Sequence, residues 1–232
     1  MKKLPLLVAA LLAICSFQSC KKTEIVTPAP AHQAQIMFVN GCSGTTQLAA
    51  SFSGKALTDD GAKSIGYMGN SGYQYVALDS LYPAVPVTFI KSGASFVTTS
   101  FPCLENVHYS AFAGGTSTTP TITFTPDIFD GMGSGNAKLR FVNLAGNVNN
   151  LTFELGNENL FTGINSAVST PFTEVSAGEK NFKVYDPNNL NATQVLFALR
   201  KLEAGKYYTV LYSGTANGSG NAILQLSLYN NQ

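Results

Sequence analysis

No stretch of this chain spaces its apolar residues at a helical period over three turns, and that absence narrows what it can fold into. The apolar residues instead alternate, or fall in short β-branched and aromatic runs, between clusters of Gly, Asn, Pro and Ser. Such runs lie at 36–40, 48–53, 73–78, 85–91, 95–101, 107–113 and 121–125. They recur at 138–143, 150–155, 171–175, 181–186, 194–200, 206–213 and 222–229. Seven short strands in about 100 residues is the pattern of an antiparallel sandwich. The expected fold class is therefore all-β, with two tandem antiparallel, immunoglobulin-like β-sandwich domains. Strands of that kind bury one face and wet the other.

The second set of runs repeats the first. Residues 36–57 (IMFVNGCSGTTQLAASFSGKAL) align without a gap with 139–160 (LRFVNLAGNVNNLTFELGNENL) at an offset of 103. Phe38-Val39-Asn40 falls on Phe141-Val142-Asn143, Leu48 on Leu151 and Leu57 on Leu160. A second match, at an offset of 98, sets Leu104-Glu105 and Tyr109 against Leu202-Glu203 and Tyr207. A period near 100 residues is too long for a solenoid unit and suits a duplicated domain. The divisions expected are a first domain over 35–125, a Gly-rich linker over 126–136 and a second domain over 137–232.

The N-terminus reads as an address. Lys2 and Lys3 precede an apolar run, Leu4 to Cys15, too short to span a bilayer as a mature helix. Ser19-Cys20 closes this segment and resembles a bacterial lipoprotein signal of the Bacteroidota type. The resemblance implies a signal peptide at 1–19 and lipid attachment at Cys20. A Pro-containing tether would follow at 20–34, with His32 as a solvated tether residue. The membrane, reached through that lipid, is the expected partner, and the location is the cell envelope, on the periplasmic or surface face of the outer membrane.

Charge then excludes a partner. The 232 residues hold 14 Lys+Arg against 13 Asp+Glu. Removing Lys2 and Lys3 with the signal leaves 12 − 13 = −1. No basic excess exists to neutralise phosphates, so nucleic acid is not expected. At 45% hydrophobic the chain is also not a disordered one.

Of four cysteines, Cys15 would leave with the signal and Cys20 would carry lipid. Cys42 and Cys103 remain, in a compartment that permits disulfides. A bridge between them would close a loop of 103 − 42 = 61 residues. The alternative is two unpaired small hydrophobes. Two Cys without nearby His do not make a metal site.

The second half carries a family resemblance. It runs Ala137-Lys138-Leu139-Arg140-Phe141-Val142-Asn143, then Val175-Ser176-Ala177-Gly178, then Leu202-Glu203-Ala204-Gly205-Lys206-Tyr207-Tyr208-Thr209-Val210. This is similar to the bacterial domain-of-unknown-function 4397 family, covering about 95 residues well and the first half loosely. The resemblance implies a β-sandwich in secreted or anchored proteins and brings no activity and no site residues.

Catalytic motifs are lacking: no G-x-S-x-G elbow, H-E-x-x-H helix, Walker loop or strand-bound G-x-G-x-x-G is present. His108 falls by alternation on the same strand face as Ser110 and reads as an outward polar residue. Asp59-Asp60-Gly61 and Asp127 with Asp130-Gly131 read as turns, without the spacing of a Ca²⁺ loop. The segment that could present a ligand surface runs from Gly66 to Tyr75. Its Tyr67, Tyr73 and Tyr75, with Tyr82 nearby, offer flat amphipathic rings among Gly, Asn and Ser. The alternative is that they pack the sandwich. No cofactor is expected. The expected function is a non-enzymatic structural or ligand-binding envelope lipoprotein. A glycan-binding or adhesion protein is the first alternative, with an envelope protein as another possible partner, and a hydrolase with a carboxylate site the second.

Overall fold

A computed structural model describes residues 32–57, 64–79, 83–193 and 195–232, so residues 1–19, Cys20, Asp59, Asp60 and Tyr82 lie outside the described residues. The chain is all-β. The first half contributes β1 (Gln33–Asn40), β2 (Gln47–Phe52), β3 (Lys55–Ala56), β4 (Ile65–Gly66), β5 (Asn70–Ala77), β6 (Ala84–Lys91), β7 (Ala94–Pro102), β8 (His108–Gly115) and β9 (Pro120–Asp127). The second contributes β10 (Asn136–Asn143), β11 (Leu151–Leu155), β12 (Glu158–Ile164), β13 (Val168–Ser169), β14 (Thr173–Ser176), β15 (Gly178–Tyr185), β16 (Val195–Leu202), β17 (Tyr207–Ser213) and β18 (Gln225–Asn230), with one helical turn, α1 (Leu190–Thr193).

Each half is a sandwich of two sheets, and the strand orders match. In the first half they are β5-β1-β8-β9 and β3-β2-β6-β7; in the second, β13-β10-β17-β18, with β14 also on β10, and β12-β11-β15-β16. The pairing is not purely antiparallel. β1 runs parallel to β8, and β10 parallel to β17, because the chain crosses to the other sheet and back between them.

The sheets form a stack in which β5-β1-β8-β9 and β13-β10-β17-β18 lie inside, facing each other. Alternation along β1 shows why. Ile36 and Phe38 point into the first half's core, whereas Met37 and Val39 point the other way and join Phe112, Val142, Leu144 and Leu211 in a separate cluster. The inner strands are therefore buried on both faces, unlike the one-faced strands the sequence led us to expect. Each aliphatic or Phe side chain so buried contributes about 1.5–3 kcal/mol. Gly41 permits the close approach: a Cβ there would stand 2.4 Å from Leu144 Cδ1. The Gly115 amide also donates across to Leu144 O, at 2.9 Å.

The repeated Phe-Val-Asn has a local purpose. Asn40 and Asn143 are fully buried at the ends of β1 and β10. The Asn40 amide donates to Ile65 O (3.1 Å), and its Oδ1 accepts from the Cys42 backbone (3.2 Å). Asn143 does the same for Val148 O (2.8 Å) and Ala145 N (3.1 Å). Each Asn thus satisfies the loop that leaves the inner sheet. The later match needs a shift of one residue. Tyr109 Oη accepts from Leu104 N at 2.8 Å, and its counterpart is Tyr208, which accepts from Glu203 N at 3.0 Å. The offset is 99, not 98, and the device resembles the tyrosine corner of immunoglobulin-type sandwiches.

Cys42 and Cys103 do not form the expected bridge; both are free and fully buried in the first half's core. The register explains it. Cys42 follows the end of β1, where the Ser43 amide bonds Gly115 O at the end of β8. Cys103 precedes the start of that same strand, where the Leu104 amide bonds the Tyr109 phenol. The eight residues of β8 run about 23 Å from end to end at ~3.3 Å per residue, against the ~7 Å limit between bridged Cα atoms. Burial pushes the Cys42 thiol up to about 12 and the Cys103 thiol to about 11. Alkylation at pH 8 is expected to spare both in the folded protein. In denaturant without reductant both should be modified, as peptide mass mapping would show.

Candidate functional site

The largest polar constellation lies between the inner sheets and was not foreseen. Arg140, on β10, is 1% exposed and lies on the strand face turned away from the second half's own core. Its Nη1 donates to Asp127, whose side chain is fully buried at the end of β9. Its Nη2 donates to Ser110 Oγ at 2.8 Å, and its Nε to Thr209 Oγ1 at 2.8 Å. Thr209 Oγ1 donates to Asn231 Oδ1 (2.6 Å), Asn231 Nδ2 donates to Tyr73 Oη (3.3 Å), and Tyr73 donates to Asp127. The hydrogen bonds close a ring drawn from both halves. Phe112 and Phe172 stack on the guanidinium, with centroids at 5.3 and 4.5 Å. Ser110 is itself buried and donates to Asp127 at 2.6 Å.

The tyrosines separate into two roles. Tyr67 reaches across to Ser213 Oγ at 3.0 Å, and Tyr73 belongs to the ring around Arg140. Both phenols are raised, first by burial, and Tyr73 also by the charge of Asp127. They fasten the halves together. Tyr75, one strand period further along β5, is 71% exposed.

Both histidines depart from expectation. His32 is not a free tether residue: Nδ1 meets Glu105 Oε2 at 3.0 Å, immediately before β1. His108 faces out of its own sandwich, but that side is covered by the second half. Its ring lies 5.2 Å from Tyr73 and 5.2 Å from Phe129, edge to face. Phe129 also meets Tyr207 at 5.0 Å. Asp130, read as a turn residue, pairs with Lys138, which holds its carboxyl below the usual range. Among the described residues no three of His, Cys, Asp and Glu converge to hold a metal ion.

Two clefts open at equivalent places, each between a hairpin of the outer sheet and the edge strand of the inner one. The first, about 340 Å³, is lined by Phe52, Lys55, Leu57, Tyr75, Val76 and Asp79. The second, about 460 Å³, is lined by Leu155, Glu158, Leu160, Glu174, Val175 and Lys180. Register equates them. Tyr75 pairs with Gln35 and Glu174 with Lys138, positions 103 apart. The polar groups differ in availability. Glu174 accepts from Gly133 N (3.0 Å) and from Asn136, bonds that hold its carboxyl below the usual range, and Lys180 donates to Ser176 at 2.9 Å. A carboxyl so held is a poor general acid. Among the described residues Lys55, Tyr75 and Asp79 have no such partner.

No family model matches the chain, and no curated protein matches it. Among solved structures, a Bacteroides ovatus crystal structure of a "putative cell adhesion protein" is 13% identical, covering 87% of this chain and 96% of its own, with a TM-score of 0.20. A likeness that low carries no argument about fold or function.

The ring around Arg140 and the buried phenols each make a prediction. Arg140→Met leaves the Asp127 carboxylate buried and unpaired, so it should cost roughly 3–5 kcal/mol in urea unfolding. The double variant with Asp127→Leu should recover much of that loss. The raised phenols of Tyr67, Tyr73, Tyr212 and Tyr229 predict the alkaline limit. Unfolded tyrosine ionises near ~10, so their stabilisation is complete below that pH and is lost as pH rises above it. Absorbance at 295 nm should show these phenols ionising together with unfolding.

Proposed function

We propose that this chain is a lipid-anchored, non-enzymatic binding module of the bacterial cell envelope, of the domain-of-unknown-function 4397 type. The observation that carries the reading is the use of the chain's polar chemistry. Arg140, Asp127, Ser110, Thr209, Tyr67 and Tyr73 are engaged in fastening the two halves, while an exposed aromatic and two unpaired charges stand at one cleft. A rigid stack suits a module that presents a fixed surface. Ser19-Cys20 after an apolar run supports the anchor, and the step from Cys20 to β1 at Gln33 supports display close to the membrane.

The anchor is tested in the native host by fractionation. The wild-type protein should partition with membranes and carry the mass of the lipid on Cys20. Cys20→Ser should move to the soluble envelope fraction. A Cys20→Ser protein that stays with membranes would overturn the reading.

A further inference from the structure

We infer that the cleft between the β2–β3 hairpin and β5 is a binding site for a neutral saccharide, with the Tyr75 ring as its platform. The inference deepens the binding-module reading and rests on it. Among the described residues the Tyr75 side chain makes no hydrogen bond or ring contact, and it is 71% exposed on an edge strand. Beside it the cleft offers one cation, Lys55, and one anion, Asp79, so the lining has no net charge. Phe52, Leu57 and Val76 form its apolar part.

That combination selects a ligand class. A pyranose has an apolar C–H face and a rim of hydroxyls that both donate and accept. The ring takes the face, in the way aromatic surfaces take flat amphipathic partners. Asp79 accepts from hydroxyls and Lys55 donates to them. An anionic polymer would require a basic excess that is absent here. A cleft of about 340 Å³ lies near the lower end of the roughly 300–1,000 Å³ range of small-ligand sites. It therefore fits one or two sugar units.

The second half supplies an internal comparison. At the position of Tyr75 it carries Glu174, engaged with Gly133 and Asn136, and its Lys180 is engaged with Ser176. That cleft is lined by no aromatic ring, and two of its charged groups are held by structural bonds, so the binding inferred here belongs to the first half.

The test is a glycan array followed by titration calorimetry on the full chain, with neutral mono- and oligosaccharides, sulfated glycans and extended peptides as probes. The wild type should bind at least one neutral saccharide. Tyr75→Ala should weaken it about tenfold or more, and Tyr75→Phe should retain it, since the ring is the contact. Asp79→Asn should weaken binding less, and Glu174→Gln not at all. Equal binding by Tyr75→Ala, binding only to sulfated glycans or peptides, or no saccharide binding would each overturn the inference. The anchored-module reading is judged separately by membrane partition of the Cys20 variant, so the two can fail independently.

Discussion

The Arg140–Asp127 pair is the interaction on which the arrangement of the whole chain depends. An isolated guanidinium between two β-sheets would cost several kcal/mol in lost hydration. Here Asp127 and Ser110, from the first half, and Thr209, from its own, meet it. Neither half could bury these groups alone. Removing the second half would expose Asp127, Tyr73 and Ser110 together with the apolar Met37, Val39 and Phe112. The pair adds register more than raw stability, since apolar side chains of the same volume would pack as well. What it forbids is sliding: a shift by one residue along β10 would leave a charge without its partner. Met37, Val39 and Leu211 supply the attraction, and the charged ring fixes where the sheets meet.

Much of the fold was legible because it rests on a period of two. Most strand positions, the correspondence of residues 36–57 with 139–160, and the inward direction of Phe38 and Phe141 follow from it, while β12 lies outside the expected runs. The stack was not legible, because alternation distinguishes two faces of a strand without saying which is wet. His108 and Ser110 are polar, so their face of β8 read as outward, and Lys138 and Arg140 hold the corresponding face of β10. The contrary sign was present in β1, where Ile36-Met37-Phe38-Val39 is apolar on both faces. A continuous run of that kind marks a strand buried on both sides. Read across to β10 by the offset of 103, it would have flagged Arg140 as a buried charge. The cysteine pair failed differently: a count suggests a bridge, but only strand register shows the two thiols at opposite ends of one core.

Among the tyrosines of residues 66–75, sequence could not rank the members. Tyr73 and Tyr75 occupy the same face parity of β5, two residues apart. What separates them is the sheet's boundary. Tyr73 lies where β5 faces the second half and finds Asp127 and Asn231, whereas Tyr75 lies beyond the second half's reach, over the cleft. That difference arises from a contact between halves, which no local pattern encodes.

The two halves also show how one framework acquires unlike surfaces. Cross-strand partners on the outer sheets make the point. In the second half Glu154 pairs with Lys183 at 3.4 Å; the matching register in the first half brings Ser51 against Thr88, with Thr98 bonded to Thr88 at 2.9 Å. Glu174 and Tyr75 repeat the contrast at the clefts. In both places the second half uses charge to close its own structure, and the first half carries an uncharged side chain at the matching position. Backbone hydrogen bonds and inward-facing apolar residues, common to both, fix the sandwich. The side chains left over are therefore free to differ, and in the first half they leave an edge, a ring and a pair of opposite charges open to something other than the chain itself.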